Sequence, residues 1–306
     1  MTARNRRIGI VMFLCLLVVT SCNRPLRNLL ASTDTSEQSR PPVVAGTSEG
    51  TLPSGGATRH YLLHIPPSYK AGVAVPLVIN FHGFSSNSRQ EEVLTGMSAK
   101  ADQEGFIVVY PDGLDATWYP GHGANGEADL RFIRDLIAWI ENNYSIDPKR
   151  IYATGISNGG GMANRVGCDM ADVIAAIAPD SGAYNFWQDC SPSRPVPVLA
   201  FHGLDDHIVP YEGGTPEAML PPIEKWAASW AARNGCADSP DISTAIKTVT
   251  VRTWTNCRED AEVILYSLAN HGHSWPGSSV MPAAITSHAV NATDVMWDFF
   301  VKHPMP

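Results

Sequence analysis

The chain has 306 residues, 44% of them hydrophobic and 17% charged, a globular balance that excludes both a disordered tail and a polytopic membrane protein. Thirty acidic against 22 basic residues give a net charge of −8. Without the three arginines of the first 21 residues the basic count is 19 and the net charge −11, so the surface repels phosphate backbones, and with no basic stripe or lysine-rich tract nucleic acid is not expected as a partner.

The first 21 residues predict an export leader. Met1 to Arg7 is short and positive, and the apolar run Ile8 to Val19 is too short for the roughly 20 residues that span a bilayer. The run ends Val19-Thr20-Ser21-Cys22, which resembles a bacterial lipobox and implies a lipid-bearing Cys22 as first residue of an exported, envelope-anchored protein. From residue 22 to Pro53 the chain is polar and rich in Ser, Thr, Pro and Gly without apolar periodicity, the pattern of a flexible tether. The globular body is expected over 54–306.

Strands and helices then alternate. Tyr61 to Ile65, Val75 to Phe81 and Phe106 to Tyr110 read as strands, the second and third as continuous apolar runs closed by His82-Gly83 and by Pro111-Asp112-Gly113. Arg89 to Gln103 is expected as a helix, and Asp129 to Asn142 sets Leu130, Ile133, Ile137 and Ile140 on one helical face. A short strand over Arg150 to Thr154 precedes a glycine-rich turn and a helix near Gly160 to Val166. Val173 to Ala178, Val196 to Phe201 and Val263 to Tyr266 are further predicted strands, with helices over Ile223 to Asn234 and Thr293 to Lys302. Such alternation predicts one α/β domain, a mostly parallel twisted sheet covered by helices on both faces, with function at the carboxyl ends of the strands.

Six cysteines sort by position. Cys15 lies in the leader and Cys22 is the acylation candidate, leaving Cys168, Cys190, Cys236 and Cys257, an even set for an oxidising compartment. The sequence-local pairing, Cys168–Cys190 with Cys236–Cys257, closes two loops worth about 3 kcal/mol each by the chain-entropy argument. No C-x-x-C spacing supports a zinc site.

Chemistry concentrates at three strand ends. Gly155-Ile156-Ser157-Asn158-Gly159 is a G-x-S-x-G between a strand and a helix, the context of a nucleophile elbow. It lacks the lysine of a phosphate loop and the spacing of a dinucleotide turn. A serine nucleophile needs a later acid and then a histidine. The loop from His202 offers Asp205 and Asp206, and the loop from His271 offers His271 and His273. Spacing alone does not choose within either pair.

These motifs, with Val78 to Phe84, Tyr110 to Gly113, the His-Gly-x-x-Asp-x-x-Val-Pro-Tyr run from His202 to Tyr211, and His273-Ser274-Trp275-Pro276-Gly277, resemble the polyhydroxybutyrate depolymerase-like or feruloyl-esterase-like (LpqC-type) group of the α/β-hydrolases. The resemblance covers about Tyr61 to Val301. It implies Ser157 as nucleophile, Asp206 as acid and His273 as base, with Asp205 and His271 as neighbours. His271 stands where that group usually has glycine, so it is expected to line or restrict the site. The oxyanion donors implied are the backbone N–H groups of Asn158 and Phe84, and Trp275, Trp118, Tyr119 and His271 are candidate substrate contacts. No metal or other cofactor is implied. The expected substrate is a small-molecule ester, or an oligomeric polyester or plant cell-wall ester. A metal-dependent hydrolase built from His202, His207, Asp205, Asp206, His271 and His273 is the rival enzyme, and a catalytically inactive surface-binding protein the rival of another class.

Overall fold

Gly55 and Gly56 both take positive φ, 59° and 86°, the pair of left-handed residues that a two-residue hairpin turn demands and glycine alone adopts freely. They join β1 (Gly46–Ser54) to β2 (Ala57–Ile65) in antiparallel register, Ser54 opposite Ala57. The computed structural model describes residues 44–306 except 186 and 215–219; the leader, Cys22 and the tether as far as residue 43 lie outside the described residues. The tether expected up to Pro53 is corrected: residues 46–53 are an edge strand whose polar, half-exposed side chains carry no apolar alternation because its main chain is secured by β2.

The continuous apolar runs become the buried centre of the sheet. β3 (Val75–Phe81) and β4 (Ile107–Pro111) pair in parallel, and β3 also pairs with β5 (Ile146–Ile156). β6 (Ala176–Asp180), β7 (Val198–Gly203) and β10 (Val263–Leu268) extend the parallel run. The expected strand at 173–178 starts later than predicted, since the N–H groups of Val173 and Ile174 close a turn onto the Met170 carbonyl. Two short strands that the pattern did not reveal, β8 (Asp241–Ser243) and β9 (Val249–Trp254), add an antiparallel edge beside β10. The full order is β1-β2-β4-β3-β5-β6-β7-β10-β9-β8.

Apolar side chains alternate to the two faces of this sheet, and each face is covered. Under one face pack α3 (Ala124–Asn143), α4 (Asn158–Asp169) and α5 (Ile223–Asn234), through Ile133, Leu136, Met162, Val166, Trp226 and Trp230. The other holds α2 (Met97–Glu104) and α6 (Ala292–Lys302), where Phe106 stacks on Trp297 and Tyr152 on Phe300. The single helix expected over 89–103 is two: α1 (Ser88–Thr95) ends at Gly96, whose φ of 61° turns the chain before α2 begins. Both sequence-local disulfides are present, Cys168–Cys190 between α4 and the loop after β6, and Cys236–Cys257 between the turn after α5 and the loop after β9.

Candidate active site

Ser157 sits between β5 and α4 with φ 59° and ψ −120°, a conformation costly for any residue with a Cβ and found where surrounding structure enforces it. The enforcement is steric. A Cβ on Gly155 would meet the Phe81 carbonyl oxygen at 2.4 Å, and one on Gly159 would meet the same oxygen at 2.1 Å and that of His82 at 2.5 Å. Only glycine lets β3, β5 and α4 approach so closely. The Ser157 N–H donates to the Asp180 carbonyl at 3.0 Å, and the Ser157 carbonyl accepts from the Ala183 N–H at 2.9 Å, so main-chain bonds hold the turn from the β6 side.

Sheet register sets the neighbours. Ile156 pairs with Asp180, Asp180 with Phe201 and Phe201 with Tyr266, so β5, β6, β7 and β10 end on a common row. The loops carrying Ser157, Asp206 and His273 leave the sheet from that row. Asp206 is 3% exposed; its Oδ1 accepts the N–H groups of Ile208 and Val209 at 2.8 and 2.9 Å, and its Oδ2 lies 2.8 Å from His273 Nδ1. Burial opposes ionisation of this carboxyl, but the hydrogen bond and charge of His273 and the Val209 N–H outweigh it, leaving its pKa below the ordinary value. An ionised carboxylate on Nδ1 fixes the ring so that Nε2 is the proton-accepting nitrogen.

Two residues away, His271 has the opposite fate. It is fully buried; its Nδ1 accepts the Ser287 N–H at 2.8 Å and its Nε2 donates to the Ser274 carbonyl at 2.9 Å. Burial pushes its pKa down, and with both nitrogens committed it is a loop staple. The expectation that His271 lines the site is corrected. Trp118 and Trp275 are corrected with it: each is 1% exposed, so neither offers a free ring face to a substrate. Trp275 donates its indole N–H to Thr293 Oγ1 at 3.0 Å and anchors the His273 loop to α6, while Trp118 packs edge-on against Phe81. Tyr119 stays 38% exposed. Asp205 is exposed and gives its N–H to the His271 carbonyl.

Two residues to which the serine reading gave no role of their own complete the surroundings. His202 is buried beside Asp206, its Nε2 donating to the Val209 carbonyl at 2.8 Å and lying 3.5 Å from Asp206 Oδ2; burial pushes its pKa down to about 4, so the ring is neutral and holds the acid-bearing loop closed. His82 does the same for the loop after β3. Its Nε2 accepts the Gly113 N–H at 3.0 Å, so Nδ1 carries the proton and donates to the Gly83 carbonyl at 2.7 Å. In a trans peptide the C=O and the next N–H point opposite ways, so with the Gly83 oxygen anchored on the His82 ring the Phe84 N–H points away from that ring. Gly83 lies against the elbow, where a Cβ would stand 3.6 Å from Ser157 Cβ. The signal for both histidines was a His-Gly dipeptide at a strand end, visible at residues 82 and 202.

Four of the ring nitrogens that the metal-site alternative would use are already bonded. Both ring nitrogens of His271 and the Nε2 of His202 are bound to main chain and His273 Nδ1 is bound to Asp206. Among the described residues no group of three or more His, Cys, Asp or Glu side chains gathers as metal ligands would.

A parallel sheet with a strained serine at the first turn after its central strand defines the α/β-hydrolase fold. The acetyl xylan esterase of Aspergillus awamori shares it, with a TM-score of 0.61 over 83% of this chain and 99% of that one at 15% identity. Residues 59–192 match the family model described as esterase PHB depolymerase. The chain is 33% identical over 232 residues to feruloyl esterase B of Piromyces equi, an alignment covering 71% of this chain and 42% of that protein. It is 29% identical over 206 residues to the bifunctional acetylxylan esterase/xylanase XynS20E of Neocallimastix patriciarum, covering 65% and 29%. The chain thus spans less than half the length of either relative.

Proposed function

We propose that the protein is a serine carboxylic-ester hydrolase in which Ser157, Asp206 and His273 act in series. The observation that carries this reading is the 2.8 Å contact of Asp206 Oδ2 with His273 Nδ1, on the same row of strand ends as the strained Ser157. His273 Nε2 takes the Ser157 proton as Oγ attacks the ester carbonyl; Asp206 stabilises the imidazolium; the proton passes to the leaving alcohol, and water repeats the sequence against the acyl-enzyme. The carbonyl oxygen becomes an anion and is received by the N–H groups of Asn158 and Phe84, each donor worth about 3 kcal/mol of barrier lowering.

The substrate we favour is an acyl or aryl ester of a plant cell-wall polymer or its fragments, supported by relatives named for feruloyl and acetylxylan esters. Phe84, Tyr119 and Ile208, at 69, 38 and 69% exposure, give the strand-end loops an apolar rim for such a group. The two disulfides support export into an oxidising compartment, and acylation of Cys22 would hold the enzyme at a membrane. Detergent partitioning of the wild type against Cys22→Ser tests the anchor, which fails if the wild type already stays in the aqueous phase.

The catalytic reading is tested by a fluorophosphonate probe. Wild type should be labelled at Ser157 by mass spectrometry and hydrolyse p-nitrophenyl butyrate equally with and without EDTA, whereas Ser157→Ala should lose label and about 10⁴-fold or more in kcat. Full activity in Ser157→Ala, or loss of wild-type activity in EDTA, overturns the proposal. Methyl ferulate, acetylated xylan and hydroxybutyrate oligomers, compared by kcat/KM, rank the acyl groups.

A further inference from the structure

One short loop touches the main chain that carries both oxyanion donors. Residues 113–118 leave β4 through Leu114–Ala116, a single helical turn in which Asp115 and Ala116 take φ of 54° and 56°. At its start the Gly113 N–H donates to His82 Nε2 at 3.0 Å, and in its middle the Ala116 carbonyl accepts the Ser85 N–H at 2.8 Å. These two bonds grip the chain on either side of Phe84. At its end the loop meets the elbow. Asn158 Oδ1 accepts the Trp118 N–H at 2.7 Å and Thr117 Oγ1 at 3.3 Å, and Asn158 Nδ2 donates to the Trp118 carbonyl at 2.9 Å. The side chain of the residue that offers one donor is therefore bonded, at both ends of its carboxamide, to the loop that holds the other.

The loop is too tight to absorb movement. A Cβ on Gly113 would meet the Thr117 carbonyl oxygen at 2.1 Å, Trp118 is packed between Phe81 and His82, and the Tyr119 N–H is held by Asp129 Oδ2 at 2.9 Å. Asp129 is in turn paired with buried Arg59 at 2.9 Å. A rigid element bonded at two points fixes the separation of those points. Oxyanion stabilisation depends on that separation, because a donor contributes fully only when preplaced within a few tenths of an ångström of the developing charge.

Resting on the esterase reading above, we infer that the Asn158 carboxamide is a positioning residue that, through the 113–118 loop, sets the gap between the Phe84 and Asn158 N–H groups. It touches no reacting atom. Its work is felt in the transition state and not in substrate binding.

Asn158→Ala keeps the Asn158 N–H and removes the brace. Its kcat on p-nitrophenyl butyrate should fall about 10- to 100-fold, below the loss from deleting a donor outright, with KM within about twofold and affinity for a tetrahedral boronic-acid inhibitor reduced in proportion to kcat. Amide exchange at Ser85, whose acceptor is on the loop but which does not touch Asn158, should quicken about tenfold while Val78 in β3 stays protected. A change in KM alone, or unaltered Ser85 exchange, overturns the inference. Should Asn158→Ala fail to fold, Asn158→Asp keeps an acceptor for the Trp118 N–H, loses the donor to its carbonyl, and must show the same Ser85 effect in smaller degree. Wild type that resists the boronic acid and the fluorophosphonate would instead sink the esterase reading itself.

Discussion

The Ser157 side of the site and the Asp206–His273 side are built by different means. Around Ser157 the geometry comes from exclusion: Gly155 and Gly159 are pressed against carbonyl oxygens of β3, and the serine is held in a strained turn by main chain. Around Asp206 and His273 it comes from attraction, with Asp206 accepting two main-chain N–H groups, His202 closing the loop onto the Val209 carbonyl, and His271 stapling the neighbouring loop. Steric sites tolerate no added atom, whereas hydrogen-bonded sites tolerate the shape but not the loss of a partner. The two halves should therefore break differently.

The largest effect separates the two histidines. His273→Ala should lower kcat on p-nitrophenyl butyrate by about 10⁴-fold or more with a Tm close to wild type. His271→Ala should keep turnover within about tenfold but lose about 2 to 4 kcal/mol in urea unfolding, because the part-buried Ser287 N–H and the buried Ser274 carbonyl lose their partner and a buried ring leaves a cavity. Reversed outcomes would exchange their roles. On the steric side, Gly159→Ala gains intrinsic helix propensity, about 1 kcal/mol, yet should be destabilised by about 3 kcal/mol because its methyl meets two backbone oxygens. A stable, active Gly159→Ala would show that the elbow is looser than its contacts require.

An effect that leaves turnover untouched and shows only in the pH dependence of stability tests a pair of buried acids. Glu91 on α1 and Asp180 at the end of β6 are buried, and none of their side-chain oxygens has a hydrogen-bond partner. Burial raises the pKa of each well above the ordinary value, and for Asp180 the nearby Asp206 and Glu91 add to it. A carboxyl with a raised folded pKa binds its proton more tightly folded than unfolded, so its contribution is complete below the ordinary carboxylate range and is lost as pH climbs toward the folded value. Glu91→Gln should flatten the decline of stability with rising pH by up to about 1.4 kcal/mol per pH unit. Unchanged slopes in urea titrations at pH 5, 7 and 9 would show that Glu91 ionises without penalty.

What was legible in the sequence follows the same division. Exclusion writes itself as glycine, so the elbow at Gly155 to Gly159 could be placed from residue types alone. The buried strands β3, β4, β7 and β10 were legible because two-sided burial leaves a continuous apolar run. Attraction leaves weaker marks. Asp205 and Asp206, or His271 and His273, are chemically identical neighbours, and only the three-dimensional partners divide a staple from the ring paired with Asp206. The Trp118 and Trp275 rings looked available because loop residues are often exposed, but each is sealed by its contacts. β1 escaped notice because an edge strand with a wet outer face needs little apolar pattern, although Gly55-Gly56 marked its turn. The break between α1 and α2 was signalled by Gly96, which helical periodicity on either side concealed.

Thr293 Oγ1 takes the Trp275 indole proton and donates its own to the Thr95 carbonyl, a bond across 198 positions of chain. The loop bearing His273 thus rests on a latch whose two halves are made at opposite ends of synthesis. A nascent polypeptide synthesised only as far as position 290 lacks α6, so the loop bearing His273 hangs from an unfastened support. If His273 is the base proposed above, ester cleavage should begin only once α6 has emerged and docked.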